Sequence, residues 1–454
     1  MLTREQNETL TQVGPGTPMG ELMRRYWVPA FLSWELPTAD CPPIELRLLG
    51  EDLVAFRATD GQVGVVSAYC AHRRVSLFWG RNEEQGIRCV YHGWKFDIDG
   101  QCTDMPSEPA ASNFKEGVRI PAYPAYEAGG VVWCYMGPAE LKPALPDFAW
   151  TQVAPEKRSL SKVVQDCNWL QALEGGIDTV HSNFLHQGRP PGLRYDAKDA
   201  RGRANNVSQA ATLEVVPTDY GYIYAGIRDM GDEGNFVRGY HWIMPWTQLR
   251  GYVRGENYIN SGHMWVPLDD DTTMVYNWSV AYEESDQPGG GVENLSGLGK
   301  LVEGDDLPAW YRDAKRATEN GNGFIIDVDP ITFRATKNRE NRYGIDREVQ
   351  RTQTYTGIPG TNTQDRAVQE SMGRIADRTL ERLGTTDRAI IAARRQLLQA
   401  IEAIGNGGEA PGTASDVNRL RAYETVLPKS QHWYEAMKAK LLALEEPQAP
   451  VATT

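Results

Sequence analysis

Two short stretches of this chain gather the residue types that bind metals. Residues 70 to 94, CAHRRVSLFWGRNEEQGIRCVYHGW, offer Cys70 with His72 and Cys89 with His92. Two matching pairs of thiolate and imidazole are hard to obtain by chance. A structural zinc site uses the same ligand types, but zinc fingers place two Cys before two His. Here the order is Cys, His, Cys, His, and each loop supplies one ligand of each kind. That interleaving suits a two-iron, two-sulfur cluster in which both Cys hold one iron and both His hold the other. Neutral imidazoles in place of two thiolates raise the reduction potential, so such a centre accepts electrons readily.

The second stretch is EGGIDTVHSNFLH, which places Asp178 three residues before His181 and His186 five residues after it. On a helix Asp178 and His181 share a face. His181 and His186 would then stand about 140° apart, too far for one metal. Convergence requires a distorted turn or a helix that ends between them, and an irregularity is expected here. Two imidazoles and one carboxylate on one side of an ion form the facial triad of non-haem Fe(II) sites, which leaves positions open for dioxygen and substrate. Two readings compete: a pair of structural histidines, and a zinc hydrolase, which would give the redox centre no purpose.

These ligands need elements to hold them. From about residue 44 to 137, short β-rich runs such as ELRLLGEDLVAFRA, VGVVSAYC and VVWCYMG alternate with Gly, Asp and Pro turn signals, predicting a small antiparallel β domain with the Cys/His pairs at strand ends. After KPALPDF the pattern changes. A second domain is expected from about residue 150, with a mixed apolar and polar helical run and then strand-like runs joined at Asp269 to Asp271 by a hairpin turn. Residues 363–384 and 386–405 read as two amphipathic helices, with Asp365 and Asp387 near their starts. The segments 285–297 and 405–416 read as loops. The fold class is α+β: an N-terminal antiparallel β domain over 1–150 and a C-terminal catalytic domain over 151–445, an antiparallel sheet flanked by helices. A disordered tail is expected over 446–454.

Composition narrows the function. The chain has 454 residues, 41% hydrophobic and 24% charged, as in ordinary globular proteins. With 47 Lys plus Arg against 60 Asp plus Glu the net charge is −13, and no basic block suggests nucleic acid as a partner. No apolar run approaches a membrane span and MLTREQNETL lacks an apolar leader core, so a cytoplasmic protein is expected. Six cysteines are too few for a disulfide scaffold; Cys134, inside VVWCYM, reads as a small buried hydrophobe.

The spacing C-x-H, sixteen residues, C-x-x-H resembles the Rieske motif. HRRVSLFWGR and RCVYHGWKFDIDGQCTDMPSEP resemble the Rieske domain of aromatic-ring hydroxylating oxygenases of the phthalate dioxygenase type. The segments LTQVGPGTPMGELMRRYWVPAF, IDREVQRTQTYTGI and DRTLERLGTTDRAIIAARRQLL are similar to the same family, so the likeness covers most of the chain. The family's usual C-P-H-R-G is altered by Ala71 and Arg74, neither of them a ligand.

The resemblance implies an oxygenase component with a Rieske 2Fe-2S cluster on Cys70, His72, Cys89 and His92 and a mononuclear Fe(II) on His181 and His186. The segment YTGIPGTNTQDRAVQESMG resembles the one that supplies the carboxylate ligand, which makes it Asp365; otherwise Asp365 caps its helix. Asp178 resembles the family's bridging aspartate, set between His181 and the neighbouring subunit's counterpart of His92 in a trimer or stacked trimers. Electrons would come from NAD(P)H through a separate flavin/iron-sulfur reductase. The expected reaction is hydroxylation of a small aromatic substrate, carboxylated by expectation, with dioxygen. Oxidative O-demethylation is the runner-up, and a non-catalytic iron-sulfur electron carrier is the reading from another class. Strand aromatics could line an apolar pocket, and Arg201, Arg203, Arg228, Arg238, Arg250 or Arg254 could clamp a carboxylate.

Overall fold

The computed structural model describes residues 1–187, 200–254, 257–280, 328–329 and 331–444. The loop expected over 285–297, the tail 446–454 and the side chain of Arg254 lie outside the described residues.

The β-rich N-terminal runs form two small antiparallel sheets. One pairs Ile44–Leu48, Glu51–Arg57, Val63–Ser67 and Ala122–Tyr123; the other pairs Arg81–Glu83, Gly86–Arg88, Lys95–Phe96 and Cys102–Asp104. Val54, Phe56, Val66, Leu77, Ile87, Trp94 and Phe96 make a compact core between them. A third sheet joins Trp27–Leu32 to Val131–Tyr135 and Ala125–Ala128. Cys134, on its central strand, is fully buried, as an apolar neighbourhood requires.

The second domain is built on one large antiparallel sheet. Its strands are β1 (Arg158–Gln165), β2 (Thr212–Pro217), β3 (Gly221–Asp229), β4 (Asn235–Ile243), β5 (Thr247–Arg254), β6 (Asn257–Pro267), β7 (Thr273–Val280) and β8 (Tyr423–Leu427). The order is β1-β7-β6-β5-β4-β3-β2, with β8 pairing against β4. Every residue of β7 is buried, so both faces of the sheet are covered and the strands carry aromatics in both directions. Helix α1 (Trp169–Ile177) packs on β6, and α2 (Thr361–Ser371) packs on α1. Helix α3 (Arg388–Gly405) covers β2 and β3, where Tyr222 donates to the carbonyl of Ala389.

The large core runs from Leu10, Met19 and Trp27 through Trp169 and Trp242 to Leu397, so the N-terminal segment shares the core of the second domain. The Asp269–Asp271 turn does join β6 to β7.

Two helix expectations are corrected. The helix expected over 363–384 stops at Ser371, and the chain beyond it turns so that Arg378, 1% exposed, reaches Glu174 of α1 at 2.9 Å. Arg394 of α3 reaches the same carboxylate at 2.6 Å. A buried two-arginine clamp outweighs the helical preference of RIADRTLERL, because an unpaired Glu174 in that core would cost several kcal/mol. The second correction concerns Asp178, which lies past the end of α1 as its C-terminal cap instead of sharing a helical face with His181.

Candidate active site

The two Cys/His pairs occupy loops at the tip of the first domain. Cys70 and His72 follow Val63–Ser67, and Cys89 and His92 sit in the turn between Gly86–Arg88 and Lys95–Phe96. Each loop is pinned around its cysteine: Arg74 N–H donates to the Cys70 carbonyl at 3.0 Å and Gly93 N–H to that of Cys89 at 3.0 Å. Both thiols are buried while His72 is exposed and His92 half-buried. The two imidazole rings lie 4.4 Å apart, with His72 stacked on Trp94 at 4.6 Å.

Burial, with Cys89 beside it, pushes the Cys70 thiol up to about 11. Two such thiolates side by side need a cationic centre, so the donor set fits an iron-sulfur cluster. Arg74 adopts φ +60°, the left-handed region that favours glycine, and its guanidinium lies 4.6 Å from the centre of the Tyr69 ring. This is the position where the resembling family carries Gly. The cation–π contact offsets a backbone strain of about 1 kcal/mol.

In the second domain α1 ends at Ile177, and the Asp178 carboxylate accepts from Val180 N–H at 2.7 Å. One 3₁₀ turn, His181–Asn183, follows. The break expected between His181 and His186 is therefore present, and it turns both rings inward. Their Nε2 atoms lie 3.2 Å apart. The Oδ1 of Asp365, on the second turn of α2, lies 3.5 Å from Nε2 of His181 and 3.3 Å from that of His186. Gly360, not Asp365, is the N-cap of α2, which removes the capping alternative.

The outer nitrogens of both rings are fixed. Nδ1 of His181 lies 3.4 Å from Asp178 Oδ2, and Nδ1 of His186 lies 2.7 Å from Gln364 Oε1. Gln364 is itself oriented, its Nε2 donating to the Ile358 carbonyl at 2.8 Å. Both Nδ1 atoms thus carry the proton, and both Nε2 atoms point lone pairs at each other and at Asp365. Oδ1 of Asp365 is buried with no hydrogen-bond donor among the described residues. Three converging lone pairs repel unless a cation lies among them. Cis ligands of an octahedral ion held at about 2.1 Å stand about 3 Å apart, close to the spacings found, so His181, His186 and Asp365 fit one face of a six-coordinate ion.

A pocket opens beside this triad. Its floor is one face of the sheet, with Val163, Val275, His263, Trp265, Gln248 and Tyr240 from successive strands. Its roof is the end of α1 and the face of α2 carrying Asp365, Arg366 and Gln369. Of the six arginines singled out from sequence, Arg238 and Arg250 line it. Arg201 pairs with Glu424, Arg203 with Glu233, and Arg228 donates to the Thr179 carbonyl. Arg366, missed from sequence, also lines the pocket; it is 5% exposed and bonds only the Thr363 hydroxyl among the described residues. Tyr240 and Trp265 face the pocket, whereas Trp242 and Trp278 belong to the core.

The roof depends on Gly176. A Cβ there would fall inside the Trp265 ring. Gly176→Ala is expected to destabilise the protein by about 2 kcal/mol or more and to displace Asp178, read as a lowered Tm together with loss of iron on dialysis.

An interleaved Cys/His tip on small β sheets, joined to a two-His, one-carboxylate site in a sheet-and-helix domain, defines a Rieske oxygenase. Comparison with known proteins agrees: residues 26–124 match the Rieske [2Fe-2S] domain, and residues 134–324 and 321–450 match the family described as LigXa C-terminal domain like. The chain belongs to the Rieske non-haem iron oxygenases, as an oxygenase subunit of the phthalate dioxygenase type. It is 36% identical over 460 residues to the phthalate 4,5-dioxygenase oxygenase subunit of Pseudomonas putida, covering 98% of this chain and 97% of that one. It is 32% identical over 429 residues to the 5,5'-dehydrodivanillate O-demethylase oxygenase subunit of a Sphingobium species, covering 92% and 84%. Among solved structures, NdmA of Pseudomonas putida CBB5 shares the fold at TM-score 0.56 and 17% identity, over 91% of this chain and 100% of that one. Among the described residues no helix is long and apolar enough to cross a membrane.

Proposed function

We propose that the chain hydroxylates an aromatic carboxylate with dioxygen, using a 2Fe-2S cluster on Cys70, His72, Cys89 and His92 and a mononuclear iron on His181, His186 and Asp365. The observation that carries the reading is the convergence of two Nε2 lone pairs and one donor-free carboxylate oxygen at the edge of a pocket. A non-haem Fe(II) at that point supplies dioxygen binding and reduction, and the cluster supplies single electrons.

The chain's own residues do the rest. Asp178 and Gln364 hold the two imidazoles in the tautomer that presents Nε2 to the metal. Although burial works against ionisation, the hydrogen bonds from His181 and from the Val180 N–H hold the Asp178 carboxyl below the ordinary carboxylate range, so it is an anion at neutral pH. Trp265 and Tyr240 put aromatic surface in the lining, and Arg250, Arg366 and Arg238, which also pairs with Glu424 at 3.4 Å, bring positive charge for an anionic substrate.

The exposed Trp79, Val90, Tyr91 and Phe114 surround the cluster loops and give them an apolar rim. Such a rim suits docking against a neighbouring copy in a trimer, with Asp178 meeting that copy's cluster histidine. Electrons reach the cluster from NAD(P)H by way of a separate reductase, and the division between cluster and catalytic parts falls near residue 150. O-demethylation stays as a second reading because the relatives include a named O-demethylase subunit.

Two measurements test the proposal. Iron and acid-labile sulfide should reach about three and two per chain; two and two would leave only an electron carrier. Benzoates, phthalates and methoxybenzoates should then be screened for substrate-dependent oxygen uptake with labelled dioxygen. Two labelled oxygens on the ring mark dioxygenation, and formaldehyde release marks demethylation.

A further inference from the structure

The floor of the pocket contains an acceptor that no donor among the described residues fills. His263 of β6 is 6% exposed, lines the pocket and lies beside Trp265, with ring centroids 5.2 Å apart. Its Nδ1 stands 2.6 Å from Oδ1 of Asn277 on β7, the directly opposite residue in the ladder. The Asn277 amide presents Oδ1 to the ring and Nδ2 to the Ser161 hydroxyl, which lies 3.3 Å away. The carbonyl end of Asn277 thus faces the ring, Nδ1 carries the proton, and Nε2 is left as a lone pair. No donor among the described residues reaches that Nε2.

Protonation does not rescue it. Burial of the ring, with the positive charge of Arg250 nearby, holds the imidazole well below its ordinary value, so it stays neutral. A second acceptor sits across the ladder on β5. Gln248, opposite His263, donates through Nε2 to the Gly176 carbonyl at 2.7 Å, which leaves its Oε1 buried with no donor among the described residues. An acceptor left without a protein donor at a pocket wall is kept where a ligand supplies the missing hydrogen.

We propose that His263 reads a hydrogen-bond donor on the substrate, so that this pocket is matched to an aromatic acid that also carries a ring hydroxyl. The inference rests on reading this pocket as the substrate site, and it sharpens the substrate from aromatic acid to hydroxylated aromatic acid. A methoxy group in the same place would bring an oxygen lone pair against Nε2. Such a substrate is disfavoured by the same contact that selects the hydroxyl.

The test is direct calorimetric binding to the iron-loaded protein. The probes are benzoate, its three monohydroxy and three monomethoxy derivatives, and the uncharged series toluene and the three cresols. At least one hydroxybenzoate is expected to bind about 10-fold tighter than benzoate and than its methoxy counterpart. His263→Leu should abolish that preference while iron content stays unchanged, and His263→Gln, which keeps an acceptor, should restore part of it. The preference ratio is the readout, since a general loosening of the pocket would weaken all probes together.

Equal binding of hydroxylated and parent rings overturns the proposal. So does preference for the methoxy series, a preference that survives His263→Leu, or binding of no ring at all. If the cresols beat toluene by the expected factor while no benzoate binds, the hydroxyl contact stands and the carboxylate part of the functional reading falls. Should the leucine variant fail to fold, discrimination by the native chain across the same probes decides the matter.

Discussion

Asp365→Ala is expected to purify with about two irons and two sulfides per chain instead of three and two, and to lose hydroxylation by more than about 10³-fold. The cluster's absorption should be unchanged, because Asp365 belongs to α2 and the cysteines to another domain. The size of the effect follows from geometry. Without the carboxylate, two imidazoles 3.2 Å apart must hold a divalent cation alone, with no negative charge to balance it. The Asp365 backbone lies inside a regular helix capped elsewhere, so the substitution leaves the fold intact. Retention of the third iron with full activity would exclude Asp365 as a ligand.

The second large effect is expected at Asp178. Asp178→Asn should retain all three irons yet reduce hydroxylation by about 100-fold or more. The amide oxygen can still accept from Nδ1 of His181 and from Val180 N–H, so ring orientation survives. What disappears is the negative charge that makes the imidazole a stronger ligand and that tracks a change of oxidation state with a proton. Rapid reduction of the cluster with slow product formation in single turnover would locate the loss between the two iron sites. Wild-type activity at full metal content would remove Asp178 from the relay.

The proposed cluster site was legible because its four candidate ligands fall within 23 residues and their order favours iron-sulfur over zinc. The proposed mononuclear site was legible only in part. His181 and His186 announced themselves by proximity, but Asp365 lies 179 residues beyond His186, and only likeness to a family pointed to it. Gln364, adjacent to Asp365, was readable in hindsight as the partner of His186.

The pocket lining was legible only in part: Arg238 and Arg250 stood among six candidate arginines, with nothing in the string to choose them from the rest. With both faces of the sheet buried, alternation no longer marks an inside and an outside, so nothing in the string told Trp265 of the pocket from Trp242 of the core. The helix expected to run to residue 384 failed for a related reason. Its amphipathic pattern was real, but Arg378 is bound by Glu174, a partner 204 residues away that no local window contains.

The hairpin tip between β6 and β7 does more than reverse the chain. Asp270 accepts from Val13 N–H at 2.7 Å through its carboxylate and from the Asn168 side chain at 2.7 Å through its carbonyl, while Asp269 pairs with Arg47 at 2.8 Å. The backbone N–H groups of Leu49 and Gly50 donate to Pro267 and Leu268 just before the tip. One loop of the oxygen-handling half is thus stitched to the N-terminal segment and to the first sheet of the electron-handling half. The Rieske half is therefore not a cassette: a graft cut at residue 150 would leave these seams open, and a working chimera must carry the hairpin together with the segment it grips.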